Sequence, residues 1–289
     1  MGTAQARTRT SVLVGALVLS LGIVGCESNP YTGRSQLLMT SVGEEMQMGA
    51  QAYDQIKSDP KIKPSQDPRE IEPVKRVAAR IIEAAKRSKY ADMAKQFQWE
   101  VTVIKDDKTA NAFALPGGKM AVYTGIFPVA KTEAGLAAVM GHEVVHALAR
   151  HGGERMSQGQ LTNAALQVAG AAVGATGGNP LLGQATMAAL GVGAQVGVLL
   201  PFSRQHESEA DFVGILLAAD AGYDPQESVH LWERMEQLSG GGSPAEFLST
   251  HPGHDTRIQQ LKKWMPEAMA IYLKKPPVPA ALLPTVGGR

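Results

Sequence analysis

The chain has few of the residues that mark disulfide-rich or nucleic-acid-binding proteins. Its single cysteine, Cys26, excludes an intramolecular disulfide and any metal site built from cysteines. The 28 basic and 27 acidic residues nearly cancel, so there is no basic field for nucleic acid. Aromatic residues make up only 5%, whereas glycine, alanine and methionine are abundant, which suits closely packed helices. With 44% hydrophobic residues in a length of 289, we expect an ordinary globular protein.

Charge is entirely missing from residues 158–201, which are rich in alanine and glycine. Residues 177–180 (Gly-Gly-Asn-Pro) divide this stretch into two halves. Each half is short for a membrane span, which needs about 20 apolar residues. The stretch therefore favours buried helices that pack through small residues. A mobile lid and a membrane-spanning hairpin are the alternatives.

The N-terminal residues 1–25 have the pattern of a secretory signal peptide. Two arginines precede an apolar run from Val12 to Gly25, which is too short to span a membrane. Residues 23–26 (Ile-Val-Gly-Cys) resemble the bacterial lipobox, in which the cysteine is acylated and becomes the mature N-terminus. An uncleaved N-terminal anchor is the alternative. Because Glu27 rather than aspartate follows Cys26, we expect a lipid anchor in the outer membrane, facing the bacterial periplasm.

After a tether at residues 26–40, the pattern predicts an α+β domain over residues 41–275 and a proline-rich tail over residues 276–289. Helices are expected from Ser41, whose capping box uses Glu44, and from the prolines at 68 and 73. Residues 97–103 alternate apolar and polar as a half-buried strand does, and residues 111–126 have the pattern of a hairpin. The edge of such a sheet can pair with an extended peptide, or with nothing at all.

The strongest motif is residues 142–146, His-Glu-Val-Val-His, within a helix that Thr132 would cap. His142 and His146 are four apart and share one helix face, so both imidazoles can bind one ion. Glu143 can then hold the proton of the reacting water. His151 lies five residues beyond His146 and is expected to turn away, as a solvated residue at the helix end.

A further ligand is expected downstream, because a catalytic zinc has three protein ligands and an open position. The stretch from Ser203 opens a helix that ends at Gly222, and it carries Glu207 and Asp211 on one face. One carboxylate can bind the ion while the other steadies a ligating imidazole. A solvated acidic turn, favoured by the helix dipole, is an equally good interpretation from the residues alone.

Four segments together resemble one peptidase family, that of the HtpX membrane protease and the CAAX prenyl endopeptidase (gluzincin type). They are the His-Glu-Val-Val-His motif, Glu-Ser-Glu-Ala-Asp at 207–211, Asn-Ala-Phe-Ala-Leu-Pro-Gly-Gly at 111–118 and Thr-His-Pro at 250–252. The chain is most similar to the periplasmic lipoprotein members such as LoiP and, without its repeats, BepA. The resemblance implies a mainly helical, zincin-like α+β domain with a small antiparallel sheet beside the zinc-binding helix.

The resemblance also implies roles for particular residues. One Zn²⁺ per chain would be bound by His142, His146 and Glu207, with His251 as a displaceable fourth ligand. Glu143 would be the general base and Asp211 would steady a ligand. Arg257 or His251 would stabilise the oxyanion of the reaction. Backbone groups of Asn111 and Ala112 would bind an extended substrate.

The function implied is a lipid-anchored zinc endopeptidase that hydrolyses unfolded or misassembled envelope proteins. Its partners would be protein or peptide substrates, and the membrane through a lipid on Cys26. The alternative is a lipid-anchored chaperone or assembly factor whose zinc site is structural or closed by His251.

Overall fold

The computed structural model describes residues 25–175, 202–239, 246–251 and 256–286. The predicted signal peptide, apart from Gly25, lies outside these residues, as do the second half of the uncharged stretch, Pro252 and His254. The strands are β1 (Gly25–Ser28), β2 (Ser35–Leu38), β3 (Glu100–Ile104), β4 (Ala112–Leu115) and β5 (Lys119–Tyr123). The helices are α1 (Val42–Ser58), α2 (Pro68–Ala85), α3 (Ala91–Gln96), α4 (Phe127–Ala130), α5 (Glu133–Leu148), α6 (His151–Ala175), α7 (Arg204–Asp220), α8 (Gln226–Ser239), α9 (Glu246–Thr250) and α10 (Arg257–Tyr272).

Helix α5 lies at the centre of the fold, with α2, α7 and α8 packed against it. All but one of its residues are buried, which explains why this helix contains apolar side chains on every face. Its start is fixed by Thr132, whose hydroxyl accepts the Gly135 N–H at 3.0 Å. The predicted cap is therefore confirmed, and the helix bearing the histidines has a defined beginning.

Helices α5 and α7 approach closely where glycine faces glycine. A Cβ added to Gly141 would lie 2.9 Å from the Gly214 carbonyl oxygen, and one added to Gly214 would lie 3.0 Å from the His142 nitrogen. Real Cβ atoms essentially never come as close as 2.9 Å and rarely as close as 3.0 Å, so glycines at these two positions permit the close approach at the crossing. Helix α7 begins at the Ser203 cap and ends before Gly222, as predicted. The close crossing brings its first turn beside His142 and His146.

The central sheet has the strand order β3-β5-β4 and lies beside α5. Strand β4 is antiparallel to β5, as the hairpin pattern predicts, and the α+β class with a small sheet beside the histidine helix is confirmed. Strand β3 is parallel to β5, so the sheet is mixed. Strand β3 begins at Glu100 instead of Phe97, because Phe97 caps the end of α3 and the Trp99 indole donates to the Ala94 carbonyl.

The segment predicted as a tether contains the β1–β2 hairpin, and β2 packs on α6. Asn29, Gln36 and Leu38 in this segment are buried. The Gln36 amide donates to the Ala149 carbonyl at 2.7 Å, which joins the hairpin to the end of α5. The N-terminal segment is thus packed onto α6 and the end of α5, while the proposed domain boundaries themselves stay a prediction.

The proline-rich tail, predicted as an irregular extension, is docked by backbone hydrogen bonds. The Glu133 N–H donates to the Ala281 carbonyl and the Leu283 N–H donates to the Lys131 carbonyl, both at 2.9 Å. Upstream, the Val278 N–H donates to the Gly222 carbonyl at 2.8 Å. These bonds hold the tail against the start of α5 and the end of α7.

Among the described helices, none has both the length and the apolar content that crossing a membrane requires.

Candidate metal centre

Four buried side chains converge between α5, α7 and the end of α9. The His142 Nε2 and His146 Nε2 atoms are 3.0 Å apart. His251 Nδ1 lies 3.1 Å from His142 Nε2 and 3.1 Å from Glu207 Oε1. Glu207 Oε1 is 3.3 Å from His146 Nε2, and all four ligand atoms lie within 4.8 Å of one another. The structure therefore brings together the three predicted zinc ligands and the predicted fourth.

These separations test whether a zinc ion fits the four residues. A tetrahedral ion with bonds of about 2.0–2.1 Å separates its ligand atoms by about 3.3 Å. The close contacts among these four side chains run from 3.0 to 3.5 Å. Glu207 and Asp211 supply negative charge that a cation would compensate in this buried place. The donor set of three imidazoles and one carboxylate is one that zinc prefers, so the residues fit the metal.

Asp211 supports the predicted ligand His142 on the side of the ring that faces away from the cluster. Asp211 Oδ1 lies 3.0 Å from His142 Nδ1, the ring nitrogen that faces away from the four-residue cluster. Carboxylates in this position fix the tautomer and the orientation of a ligating imidazole. Asp211 thus occupies the place predicted for it.

Arg257 is buried, and its guanidinium is committed to carboxylates. It donates to Glu207 Oε2 at 3.0 Å and to Asp211 Oδ1 at 2.7 Å, and its Nε lies 2.6 Å from Asp211 Oδ2. Its guanidinium carbon also lies 3.3 Å from the centre of the Trp232 ring. The predicted role in stabilising an oxyanion does not fit these contacts, because the donors already point at Glu207 and Asp211. Arg257 is placed to orient both carboxylates.

Glu143 faces the cluster from α5. Its Oε1 lies 3.3 Å from His251 Nε2 and has no hydrogen-bond partner among the described residues. Burial raises the pKa of this carboxyl, although the His251 and His142 rings oppose the rise. A buried carboxylate with a free oxygen beside the metal cluster is what a general base for water requires.

The edge of β4 runs past Glu143. The Tyr123 N–H donates to the Asn111 carbonyl, and antiparallel pairing then turns the backbone groups of Ala112 and Ala114 outward from β5. The Ala112 N–H is accepted by the Asn111 side chain at 2.9 Å, whereas the Ala114 N–H faces the Glu143 carboxylate. Asn111 is therefore occupied within the sheet, and Ala114 is the outward-facing residue nearest to Glu143. Sequence reasoning missed Ala114, although the alternation of the strand could have indicated it.

His151 is fully buried, so its prediction as a solvated residue is wrong. Helix α5 ends at Leu148, and Arg150 adopts a positive φ of 57° before α6 begins, which redirects the chain. His151 consequently returns to His146 with its Nδ1 at 3.0 Å from His146 Nδ1. An uninterrupted helix, which the prediction assumed, would have pointed it elsewhere.

Burial and neighbouring charges shift the pKa values of the histidines at this site in opposite directions. Burial lowers the pKa of His146 well below its usual value, and burial lowers that of His151 to about 4. For His142 burial also acts to lower the pKa, but the Glu207 and Asp211 carboxylates outweigh it and raise the pKa to about 9. The pKa of Glu207 is held well below its usual range by the three histidines despite burial. A cation bound here would compete with the proton on His142.

An apolar cavity of about 120 Å³ adjoins the cluster on the side of His146. It lies between α1, the end of β4 and the start of α6, and it is open to solvent on one side. Its apolar walls include Met48, Ala52, Leu115, Ala147, Met156 and Phe202. The centre of the Phe202 ring also lies 3.9 Å from that of the His146 ring, with the planes tilted by 33°, so cavity and metal cluster share a wall.

Two histidines one helix turn apart meet a glutamate from a crossing helix, and an edge strand lies alongside. This arrangement defines the chain as a zinc metallopeptidase. Residues 68–265 match the family model described as Peptidase family M48. The chain therefore belongs to peptidase family M48, which confirms the resemblance seen in the sequence, and its enzyme class is zinc metalloendopeptidase with zinc as cofactor.

Relatives with assigned names agree on that class. The mitochondrial metalloendopeptidase OMA1 of Schizosaccharomyces pombe is 36% identical over 89% of this chain and 72% of its own length. OMA1 of Saccharomyces cerevisiae is 34% identical over 84% of this chain and 70% of its own. The beta-barrel assembly-enhancing protease of Escherichia coli K12 is 30% identical over 79% of this chain but only 45% of its own.

The predicted location is corrected by the same comparison. The relatives of 34–36% identity are named as mitochondrial enzymes of two fungi and of Danio rerio, and OMA1 proteins of a plant and of Homo sapiens also match. The prediction of a bacterial periplasmic, outer-membrane location is therefore wrong. The short apolar run at the N-terminus could not distinguish between the compartments, because charge and hydrophobicity alone carry the address.

Proposed function

We propose that this zinc endopeptidase hydrolyses unfolded or misassembled proteins, which it binds as extended chains along the edge of β4 that faces away from β5. The observation that carries the proposal is the position of Ala114, whose outward-facing backbone lies beside Glu143 at the metal cluster. An added strand is held through main-chain hydrogen bonds, which read little sequence. Such binding suits clients that have lost their fold.

In the mechanism that we propose, His142, His146 and Glu207 bind zinc. The metal supplies Lewis acidity to the reacting water and to the scissile carbonyl. Glu143 takes the proton of that water and later delivers it to the leaving amine. Asp211 holds the His142 ring through Nδ1, and Arg257 holds Glu207 and Asp211 in place. His251 lies against His142 and Glu207 in the same cluster and would have to move aside before a substrate could react.

The cavity beside His146 supports a preference for a large apolar side chain next to the scissile bond. It opens between the end of β4 and the metal cluster, where the side chain of a strand-like peptide would enter. Apolar residues are exposed in unfolded proteins and buried in folded ones, so this preference also favours misfolded clients.

We further propose that a lipid on Cys26 holds the enzyme at a membrane. The support is the lipobox-like sequence at residues 23–26 and the absence of any other cysteine. Substitution of Cys26 by serine should then release the protein from membranes without detergent.

A second candidate function is that of a chaperone or assembly factor with a closed zinc site. The observation that favours it is the presence of His251 in the four-residue cluster, since four protein ligands are typical of structural zinc.

Casein cleavage by a Glu143→Gln variant tests the proposed protease. We expect the rate to fall about 10²–10⁴-fold, the usual effect of removing a general base, while each chain still binds one zinc ion. Glu70→Gln is the matched control, because Glu70 is equally buried but bonds Ser65 and Lys105 far from the cluster. Undiminished cleavage by metal-loaded Glu143→Gln would refute the assignment of the base.

A further inference from the structure

We propose that Glu209, acting through His151, is a positioning residue for the zinc ligand His146, and that Arg34 of the N-terminal hairpin holds Glu209 in place. The inference rests on the proposed ligand set, in which His146 binds zinc through Nε2. It gives a task to a glutamate, a histidine and an arginine that the mechanism above does not use.

The first step concerns the back of His146. Its Nε2 faces the metal cluster, and its Nδ1 lies 3.0 Å from His151 Nδ1. The second nitrogen of His151, Nε2, lies 3.0 Å from Glu209 Oε2. All three side chains are buried, so water does not take the place of any of these partners.

The geometry permits one arrangement of protons along this line. A ligating imidazole with a free Nε2 lone pair carries its proton on Nδ1, so His146 donates to His151 Nδ1. His151 Nδ1 must then be the acceptor, and its proton lies on Nε2, where it is donated to Glu209. The Glu209 carboxylate therefore fixes the tautomer of His146 through the ring between them.

Three hydrogen bonds from Thr32 and Arg34 hold Glu209 in place. Its Oε1 accepts from the Thr32 hydroxyl at 2.6 Å and from Arg34 Nε at 2.9 Å, and its Oε2 accepts from Arg34 Nη2 at 2.9 Å. The same guanidinium donates from Nη1 and Nη2 to both oxygens of Glu154, at 2.7 and 2.8 Å. Planar, paired donation of this kind gives directional support that a lysine could not provide.

The two ligating histidines of α5 thus receive the same support by different routes. Asp211 contacts His142 directly, whereas Glu209 reaches His146 through one intervening ring. The second route passes through residues that precede α1, so the β1–β2 hairpin forms part of the metal centre. Removal of the hairpin would leave Glu209 buried without its cation.

Glu154 offers a matched control for Glu209. Both glutamates are buried and both bind Arg34, but Glu154 continues to His206 Nε2 at 3.0 Å instead of to His151. A change to glutamine at either position removes the same charge from the same cluster. Only the change at Glu209 breaks the line to His146.

The experiment measures the zinc dissociation constant of the full chain by competition with a chromophoric chelator. It also records the visible spectrum of the Co²⁺-substituted protein, which reports the geometry around the metal. We expect Glu209→Gln to bind zinc about 10–100-fold more weakly and to shift the Co²⁺ bands. We expect Glu154→Gln to bind within about threefold of the original and to keep its spectrum.

A third variant, His151→Gln, tests the intermediary. It should weaken zinc binding as Glu209→Gln does, and the double variant should be no weaker than the weaker single variant, because both interrupt one line. Equal losses in Glu209→Gln and Glu154→Gln, or no loss in either, would overturn the proposal. If Glu209→Gln does not fold, as judged by circular dichroism, the His151→Gln spectrum decides in the same way. Failure of the protein to cleave casein would count against the proposed function but leave these binding results unchanged.

Discussion

His251 lies between the proposed metal position and the general base. Its Nδ1 is within 3.1 Å of His142 and Glu207, and its Nε2 is 3.3 Å from Glu143 Oε1. Phe247 stacks on its ring at 4.4 Å, which holds it in this position. A reacting water and His251 cannot both occupy the fourth position of a tetrahedral ion.

Substitution of His251 by alanine should therefore activate a protease that rests in this closed form. We expect casein cleavage to rise about tenfold, the factor that corresponds to a preference of about 1.4 kcal/mol for the closed form. The measurement is the initial rate at saturating zinc. His230→Ala is the control, because His230 is exposed and pairs with Glu227 in its own helix. A variant that binds zinc but stays inactive would favour the chaperone instead.

Among single residues, those that share one helix turn and those that the family resemblance identifies could be predicted from the sequence. His142, Glu143 and His146 lie on one turn, and Glu207 was assigned by resemblance. The buried position of His151 was mispredicted, and the contacts of Arg257 were not foreseen, each for a physical reason. The positive φ at Arg150 redirects His151, and the partners of Arg257 lie some 50 residues away in α7. Sequence spacing carries no information about such contacts.

Among the elements, the crossing of α5 and α7 decides whether Glu207 can meet the two histidines. Gly141→Ala should separate the helices, because its Cβ would lie 2.9 Å from the Gly214 carbonyl oxygen. We expect a loss of about 1–3 kcal/mol in the free energy of unfolding, typical of an overpacked core, together with weaker zinc binding. Urea denaturation and chelator competition measure the two effects.

The control for this prediction is Gly159→Ala in α6, where a Cβ meets nothing within 4 Å. It should stabilise the protein by about 0.5–1 kcal/mol, since alanine is the better helix former. Similar effects of the two substitutions would show that the helix crossing is not close-packed at Gly141.

Element boundaries followed from local signals where those signals exist. The Ser41 capping box, the Thr132 cap and the glycine at 222 placed the limits of three helices. The parallel pairing of β3 with β5 could not be predicted, because β4 lies between them in the sequence and no local pattern encodes the strand order.

For the molecule as a whole, the buried carboxylates set the dependence of stability on pH. Burial alone would raise the pKa of Glu209, but bonds from His151, Arg34 and Thr32 lower it to about 2. The pKa of Glu154 is also lowered, by His206, Arg34 and Gln36 against burial. A carboxyl with a lower pKa in the folded state contributes stability above its unfolded pKa of about 4.5 and loses that contribution as the pH falls further.

We therefore expect the free energy of unfolding to decline steeply between pH 4.5 and about 2. A Glu154→Gln/Glu209→Gln variant should start from a lower stability and show a smaller decline over the same range. Urea denaturation followed by circular dichroism, with a chelator present so that zinc release does not contribute, measures both curves. Parallel curves would contradict the role given to these two groups.

The docked tail makes the zinc-binding helix dependent on the far end of the chain. Backbone groups of Ala281 and Leu283 pair with residues on either side of Thr132, just where α5 begins. An exopeptidase that trims the protein back past Ala281 would thus affect the catalytic helix without cutting it, because the Glu133 N–H and the Lys131 carbonyl would both lose their partners. Progressive trimming of the tail would then lower the activity of the enzyme.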